Sequence, residues 1–170
     1  MTLSSFSFPT AIRFGPGARK ELAAHLRDRG LSRPLIVTDK ALEALPVFAE
    51  FRSLLQGLQV AVYAGVSGNP TARQVMDGAT VFRSHGADCV IGLGGGAALD
   101  VAKVVGLAAT HEGGILEYAW DHPGARTLMY ELPYFVALPT TAGTGSEVGR
   151  SAVISEDDTH LKQVVFCPKI

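Results

Sequence analysis

Residues 90–103 read VIGLGGGAALDVAK, and this stretch decides the fold. Cys89, Val90 and Ile91 form an apolar, partly β-branched run of the kind that makes a buried strand. Gly94, Gly95 and Gly96 break the strand, and Leu99, Ala102, Lys103 and Gly106 continue at helical spacing. A strand, a three-glycine turn and a helix start together make a phosphate cradle. Glycines let the backbone approach a diphosphate, and the free N–H groups of the helix start carry roughly half a positive charge toward it. An ordinary tight turn in an α/β sheet has the same local pattern.

Gly92, Gly94 and Ala97 also satisfy the fingerprint G-x-G-x-x-A. A conventional Rossmann unit places an acidic ribose ligand about 20 residues later, at the end of the next strand. Here the next strand candidate, residues 134–138, ends in Pro139-Thr140-Thr141 and carries no carboxylate. The suitable carboxylate comes earlier, at Asp39, which closes the run PLIVTD. The strand order is therefore expected to differ from the standard one.

At 170 residues the chain reads as one domain, residues 1–170. Apolar residues make up 47 % and charged residues only 18 %, which supplies a core and leaves a charge-poor surface. Such a surface points to a large buried interface and a homo-oligomer. A net charge of −1 argues against nucleic acid or an anionic membrane as the main partner. No apolar run approaches the ~20 residues that span a bilayer. The opening MTLSSFSFPT lacks the basic start and apolar centre of a signal peptide, so a cytoplasmic location is expected. Cys89 and Cys167 form no C-x-x-C pair, and Cys89 reads as a small buried hydrophobe. His111-Glu112 begins like a zincin, but Ile115 stands where the second histidine would be. No metal site is expected from these residues alone.

Strand and helix signals alternate along the chain, the pattern of a parallel sheet covered on both faces. A helix carrying Leu22 and Leu26 is closed by Gly30, and a strand over residues 35–38 ends at Asp39. Phe48, Phe51, Leu54, Leu55 and Leu58 suggest a second amphipathic helix, and residues 60–64 a second strand. After the turn Gly68-Asn69-Pro70, Thr71 and Gln74 make a capping box, with Val75, Ala79 and Phe82 on the inner stripe and Gly86 at the end. Residues 111–131 contain four glycines or prolines without clear periodicity and read as a long irregular excursion.

Residues 139–147, PTTAGTGSE, follow another strand predicted to be buried. Small hydroxyl residues and glycines can pack against a cofactor and donate hydrogen bonds where bulky side chains would collide. One such loop alone is equally a polar surface loop. Two glycine-rich loops at adjacent strand ends would share one edge of a parallel sheet, where ligands of such folds bind.

These residues resemble the iron-containing (group III) alcohol dehydrogenases. GGGAALDVAK is similar to that family's first cofactor loop, GGGSxxDxAK, and PTTAGTGSEVGRSAVI to its second block, PTTAGTGSEVT and a short strand. Phe14-Gly15-Pro16-Gly17, Asp39, Asn69-Pro70-Thr71 and Lys162 agree as well. Dehydroquinate synthases share the glycines but have a different second loop. Glycerol dehydrogenases place an aspartate where this chain has Thr144-Gly145-Ser146. The resemblance implies a Rossmann-like dinucleotide-binding domain of the dehydroquinate synthase type.

By position, it implies that Gly95, Gly96 and Ala97 hold the pyrophosphate and that Asp100 orders that loop, unless Asp100 is only a first-turn helix charge. Thr140, Thr141, Thr144 and Ser146 would meet adenine and ribose, Lys162 the nicotinamide ribose, and Asn69 the cofactor. Asp39 would accept from the adenosine 2′-hydroxyl and favour NAD over NADP, unless it is merely a turn aspartate. Ala97 replaces the family's usual serine, and Gly149 its usual threonine.

In that family a helical C-terminal domain supplies an aspartate and three histidines that hold Fe2+ or Zn2+. That domain has no counterpart in these residues, so no catalytic or metal-ligating residue is expected here. The implied role is the cofactor-binding half of an enzyme moving hydride between a small alcohol and its carbonyl compound. Inactivity of this half alone is expected. A non-catalytic nucleotide-binding module, a fragment of a glycerol dehydrogenase-like enzyme and a remnant that binds nothing are the other readings.

Overall fold

A computed structural model gives the fold over residues 10–166. Most of the opening stretch read for a leader, and Cys167, lie outside the described residues. Four parallel strands, β1 (Pro34–Asp39), β2 (Ala61–Val66), β3 (Cys89–Gly94) and β4 (Tyr134–Pro139), form one sheet in the order β2-β1-β3-β4. The helices are α1 (Leu22–Asp28), α2 (Lys40–Glu43), α3 (Pro46–Ser53), α4 (Ala72–His85) and α5 (Gly96–Thr110). A hairpin of β5 (Ser151–Ser155) and β6 (Lys162–Phe166) follows.

Alternation along β1 and β3 divides the core in two. Leu35, Val37 and Val90 join Val75, Ala79, Phe82, Val101 and Val105 of α4 and α5 on one face. Ile36, Cys89, Ile91 and Leu93 join Leu22, Leu26, Phe48, Phe51 and Leu55 on the other. Because both faces are covered, these strands read as continuous apolar runs rather than alternating ones. Each fully buried side chain of this size stabilises the fold by roughly 1.5–3 kcal/mol. Ala152, Ile154 and Val165 turn inward from the hairpin onto the α4/α5 cluster. The hairpin thereby becomes a wall beside the carboxyl ends of the strands.

The expected capping box is formed. Thr71 Oγ1 accepts from Gln74 N at 3.3 Å, and Gln74 Oε1 accepts from Thr71 N at 3.3 Å. Gly86, in left-handed conformation, ends α4 as read from the sequence. Two expectations are corrected. The helix carrying Phe48 and Phe51 stops at Ser53 rather than running on to Leu58. There i to i+3 bonds (Leu55 N to Arg52 O, Leu58 N to Leu55 O) tighten the chain, while Leu55 still reaches the core. Strand β4 is half-buried rather than buried, because among the described residues it pairs with β3 alone and forms the sheet's edge.

The excursion over residues 111–131 contains one 3-10 turn, Ile115–Tyr118, and then bridges β6 through Ala119 and Val165. His111, buried, pins its far end. Its Nε2 accepts from the backbone N–H groups of Met129 and Tyr130, each at 3.2 Å. Among the described residues no helix is long and apolar enough to cross a membrane.

Candidate cofactor site

The glycine triplet divides its work among three positions. Gly94 is the last residue of β3, with φ +150°, and a Cβ there would lie 2.7 Å from the Ala98 Cβ. Only glycine fits. Gly95 is the N-cap of α5 and offers no side-chain cap, which leaves the helix's first-turn N–H groups without a capping side chain among the described residues. A Cβ at Gly95 would meet nothing nearer than Thr141 Oγ1 at 3.9 Å. A Cβ at Gly96 would lie 2.6 Å from Thr144 Cγ2. Gly96 is therefore the seat of Thr144, and Gly95 is open to a ligand.

The second loop lies beside the first because β4 neighbours β3. Thr140 N donates to Gly94 O at 2.9 Å, carrying the ladder one step past the strands. Farther on, the loop is fastened from below by α5. Ser146 Oγ donates to Asp100 Oδ1 at 2.6 Å, and Val153 N donates to Asp100 Oδ2 at 3.1 Å. Lys103 Nζ stands 3.2 Å from Asp100 Oδ1 and donates to Ser151 O and, at 3.4 Å, to Gly149 O. Its side chain is 1 % exposed. Burial pushes the Lys103 ammonium below the usual lysine range, and the Asp100 carboxylate opposes that shift.

Asp100 thus orders the second loop, where the sequence reading assigned it to the first. Sequence reasoning gave Lys103 no site role. Its signal was present: Lys103 is the lone basic residue in a helix otherwise made of Gly, Ala, Leu, Val, Asp and Thr, so burial had to bring it a partner.

A cleft of about 380 Å³ opens between the glycine turn, the second loop and the hairpin. It brings together seven of the sequence-predicted residues: Asn69, Gly96, Ala97, Asp100, Thr144, Ser146 and Lys162. The turn bearing Asn69 is tied to the hairpin by Ser155 N, which donates to Pro70 O at 2.8 Å. Lys162, exposed on β6, pairs with Ser155. A second cavity of about 310 Å³, lined by Leu42, Phe48, Leu93 and Thr140 together with Arg13 and Arg19, lies against the α2/α3 face.

Asp39, Gly95 and Thr141 line neither space. Asp39 caps α2, its Oδ1 accepting from Leu42 N at 2.7 Å. Its Oδ2 faces the first loop, 3.6 Å from where a Gly94 Cβ would stand. The turn role is therefore real, and one carboxylate oxygen remains on the loop side. Cys89 is a free, fully buried thiol whose pKa is pushed up by burial.

Residues 9–170 match the family model for iron-containing alcohol dehydrogenases. The chain belongs to the iron-containing alcohol dehydrogenase family. It is 40 % identical to a 4-hydroxybutyrate dehydrogenase from Cupriavidus necator, over 88 % of this chain and 39 % of that protein. It is 39 % identical to a 1,3-propanediol dehydrogenase from Klebsiella pneumoniae, over 92 % of this chain and 41 % of that one. A solved sulfoacetaldehyde reductase from Bifidobacterium kashiwanohense, in complex with NAD+, superposes with a TM-score of 0.89 at 27 % identity, covering 99 % of this chain and 44 % of that structure. The chain thus spans about two fifths of the length of these relatives. Among its described residues no three His, Cys, Asp or Glu side chains converge to hold a metal ion. They do not fit the metal that the family name implies.

Proposed function

We propose that this chain is the dinucleotide-binding half of an NAD-dependent, metal-dependent alcohol dehydrogenase, an oxidoreductase acting on a small alcohol or its carbonyl compound. One observation carries the reading: the uncapped first turn of α5 faces a cleft walled by the second loop and by Asn69 and Lys162. The fit is chemical as well as spatial. The partial positive charge of a 15-residue helix and the open face of Gly95 suit a diphosphate.

In this reading the N–H groups of Gly95, Gly96 and Ala97 bind the pyrophosphate. The cavity beside Thr140 takes the adenine, and Thr141 and Thr144 flank the linking ribose. Asp39 Oδ2 accepts from the adenosine 2′-hydroxyl and repels a 2′-phosphate, so NAD is preferred to NADP. Ser146 already donates its O–H to Asp100, so it meets the cofactor as an acceptor. Lys162 and Asn69 face the nicotinamide ribose across the larger cleft. Bound there, the nicotinamide supplies the hydride acceptor. Fe2+ or Zn2+, and the groups that grip the alcohol, are assigned to none of these residues. We also propose a cytoplasmic homo-oligomer.

Calorimetric titration of NAD+, NADP+ and ADP-ribose into the chain tests this. Saturable binding of NAD+ and ADP-ribose, with NADP+ weaker, is expected. Failure of ADP-ribose to bind the folded chain refutes the reading.

A further inference from the structure

The floor of the cleft is an ion pair with unequal exposure. The Lys103 side chain is 1 % exposed and that of Asp100 16 %, so the cation lies beneath the site and the anion at its surface. Lys103 cannot reach a ligand. Its donors go to the carbonyls of Gly149 and Ser151, where the second loop ends and β5 begins. Asp100 takes up the other side, accepting from Ser146 Oγ and from Val153 N. Four points of one loop–strand segment are thus held by two side chains one helical turn apart on α5.

Glycine at 145 and at 149 leaves this segment little side-chain packing of its own. Nothing on the hairpin's inner face replaces the tether, because Ala152, Ile154 and Val165 fix β5 only beyond Ser151. Free carbonyls at Gly149 and Ser151 would need water, and the segment would open locally at low cost.

We propose that Lys103 is a positioning residue: it presets residues 144–151 as the finished wall of the cofactor cleft before any ligand arrives. The proposal rests on the reading of that cleft as the dinucleotide site. A wall ordered in advance spares the ligand the cost of ordering it, so affinity depends on a residue that never touches the ligand. Lys103 also holds a positive charge against Asp100, offsetting that carboxylate where a dianionic diphosphate would lie.

The test is Lys103→Met, of similar length and without the ammonium, read two ways on the whole chain. In the absence of ligand, hydrogen exchange at residues 146–153 is expected to accelerate at least about tenfold, the factor that ~1.4 kcal/mol represents. Amides of β1 and α4 should keep their protection. ADP-ribose should bind at least about tenfold more weakly. Because an unpaired, partly buried carboxylate can itself destabilise a protein, Lys103→Met/Asp100→Asn is measured beside the single variant. It removes both charges, and it too should show the fast-exchanging segment. Unchanged exchange at residues 146–153 in whichever variant folds overturns the positioning role. Absence of ADP-ribose binding by the parent, with the exchange effect present, instead defeats the dinucleotide reading and leaves the tether standing.

Discussion

Replacing Gly95 with alanine separates a ligand-binding turn from a merely structural one. The backbone there has φ −76°, ordinary for any residue, and the added methyl meets only Thr141 Oγ1 at 3.9 Å. The folded chain therefore carries no strain from Gly95→Ala. Alanine is a poorer N-cap than glycine, but it also restricts the unfolded chain, so the two effects oppose and stability should stay within about 1 kcal/mol. A diphosphate seated on the first turn of α5 would meet that methyl directly. Displacing it from one backbone donor costs the ~1.5–3 kcal/mol of a hydrogen bond to a charged group, roughly a 10- to 150-fold rise in Kd. Calorimetric titration of ADP-ribose, alongside thermal unfolding, measures both quantities. Gly96→Ala is the contrast, since its Cβ would stand 2.6 Å from Thr144 Cγ2. It should lose ~1–3 kcal/mol of stability with or without ligand, as overpacked sites do. A folded Gly95→Ala chain that binds ADP-ribose as tightly as its parent refutes the phosphate cradle.

Asp39→Asn keeps the acceptor for Leu42 N while removing the charge, so it should shift the NADP+ to NAD+ affinity ratio by about tenfold or more, with little change in melting temperature. An unchanged ratio leaves Asp39 only its helix cap. Asp88 accepts from Ser32 N at 2.7 Å and Arg33 N at 3.0 Å, and these bonds outweigh desolvation and lower its pKa. A lowered carboxyl pKa stabilises the fold above the unfolded value of ~3.9 and loses that contribution as pH falls through the folded value. Melting curves of Asp88→Asn and parent should thus differ at pH 7, and the gap should narrow as pH falls below the unfolded carboxyl value of ~3.9. A gap that persists in acid contradicts this. His111→Leu removes the acceptor of two backbone donors and should cost about 1 kcal/mol, the low end for lost acceptors because Met129 and Tyr130 can reach water. Hydrogen exchange confined to faster amides at 129 and 130 supports that origin; an unchanged melting temperature denies it.

What was legible in the sequence was what depends on near neighbours. The capping box of Thr71 and Gln74 needs three residues' spacing, and the doubly covered sheet needs only apolar runs separated by glycine turns. The adjacency of the two loops followed from two similar loops at strand ends, and the pairing of β3 with β4 bears it out. Interactions set by distance in space were hidden. The sequence reading gave Gly95 and Gly96 one role, because a string of glycines does not say which of them another loop already fills. It placed Asp100 under the first loop, because the helix start was the nearest partner visible along the chain. Ser146 and Val153, which it grips, lie 46 and 53 positions away. Lys103 shows the general case. A charge inside an apolar helix announces that a partner exists, and burial makes that partner obligatory. Its charged partner, Asp100, stands one turn away on the same helix, whereas its two carbonyl acceptors, Gly149 and Ser151, are fixed only when the second loop and β5 fold back over α5. The most informative residue for how the cleft is held is therefore one that closes the quoted motif without being given a site role, and its value lies in the contradiction between its chemistry and its surroundings.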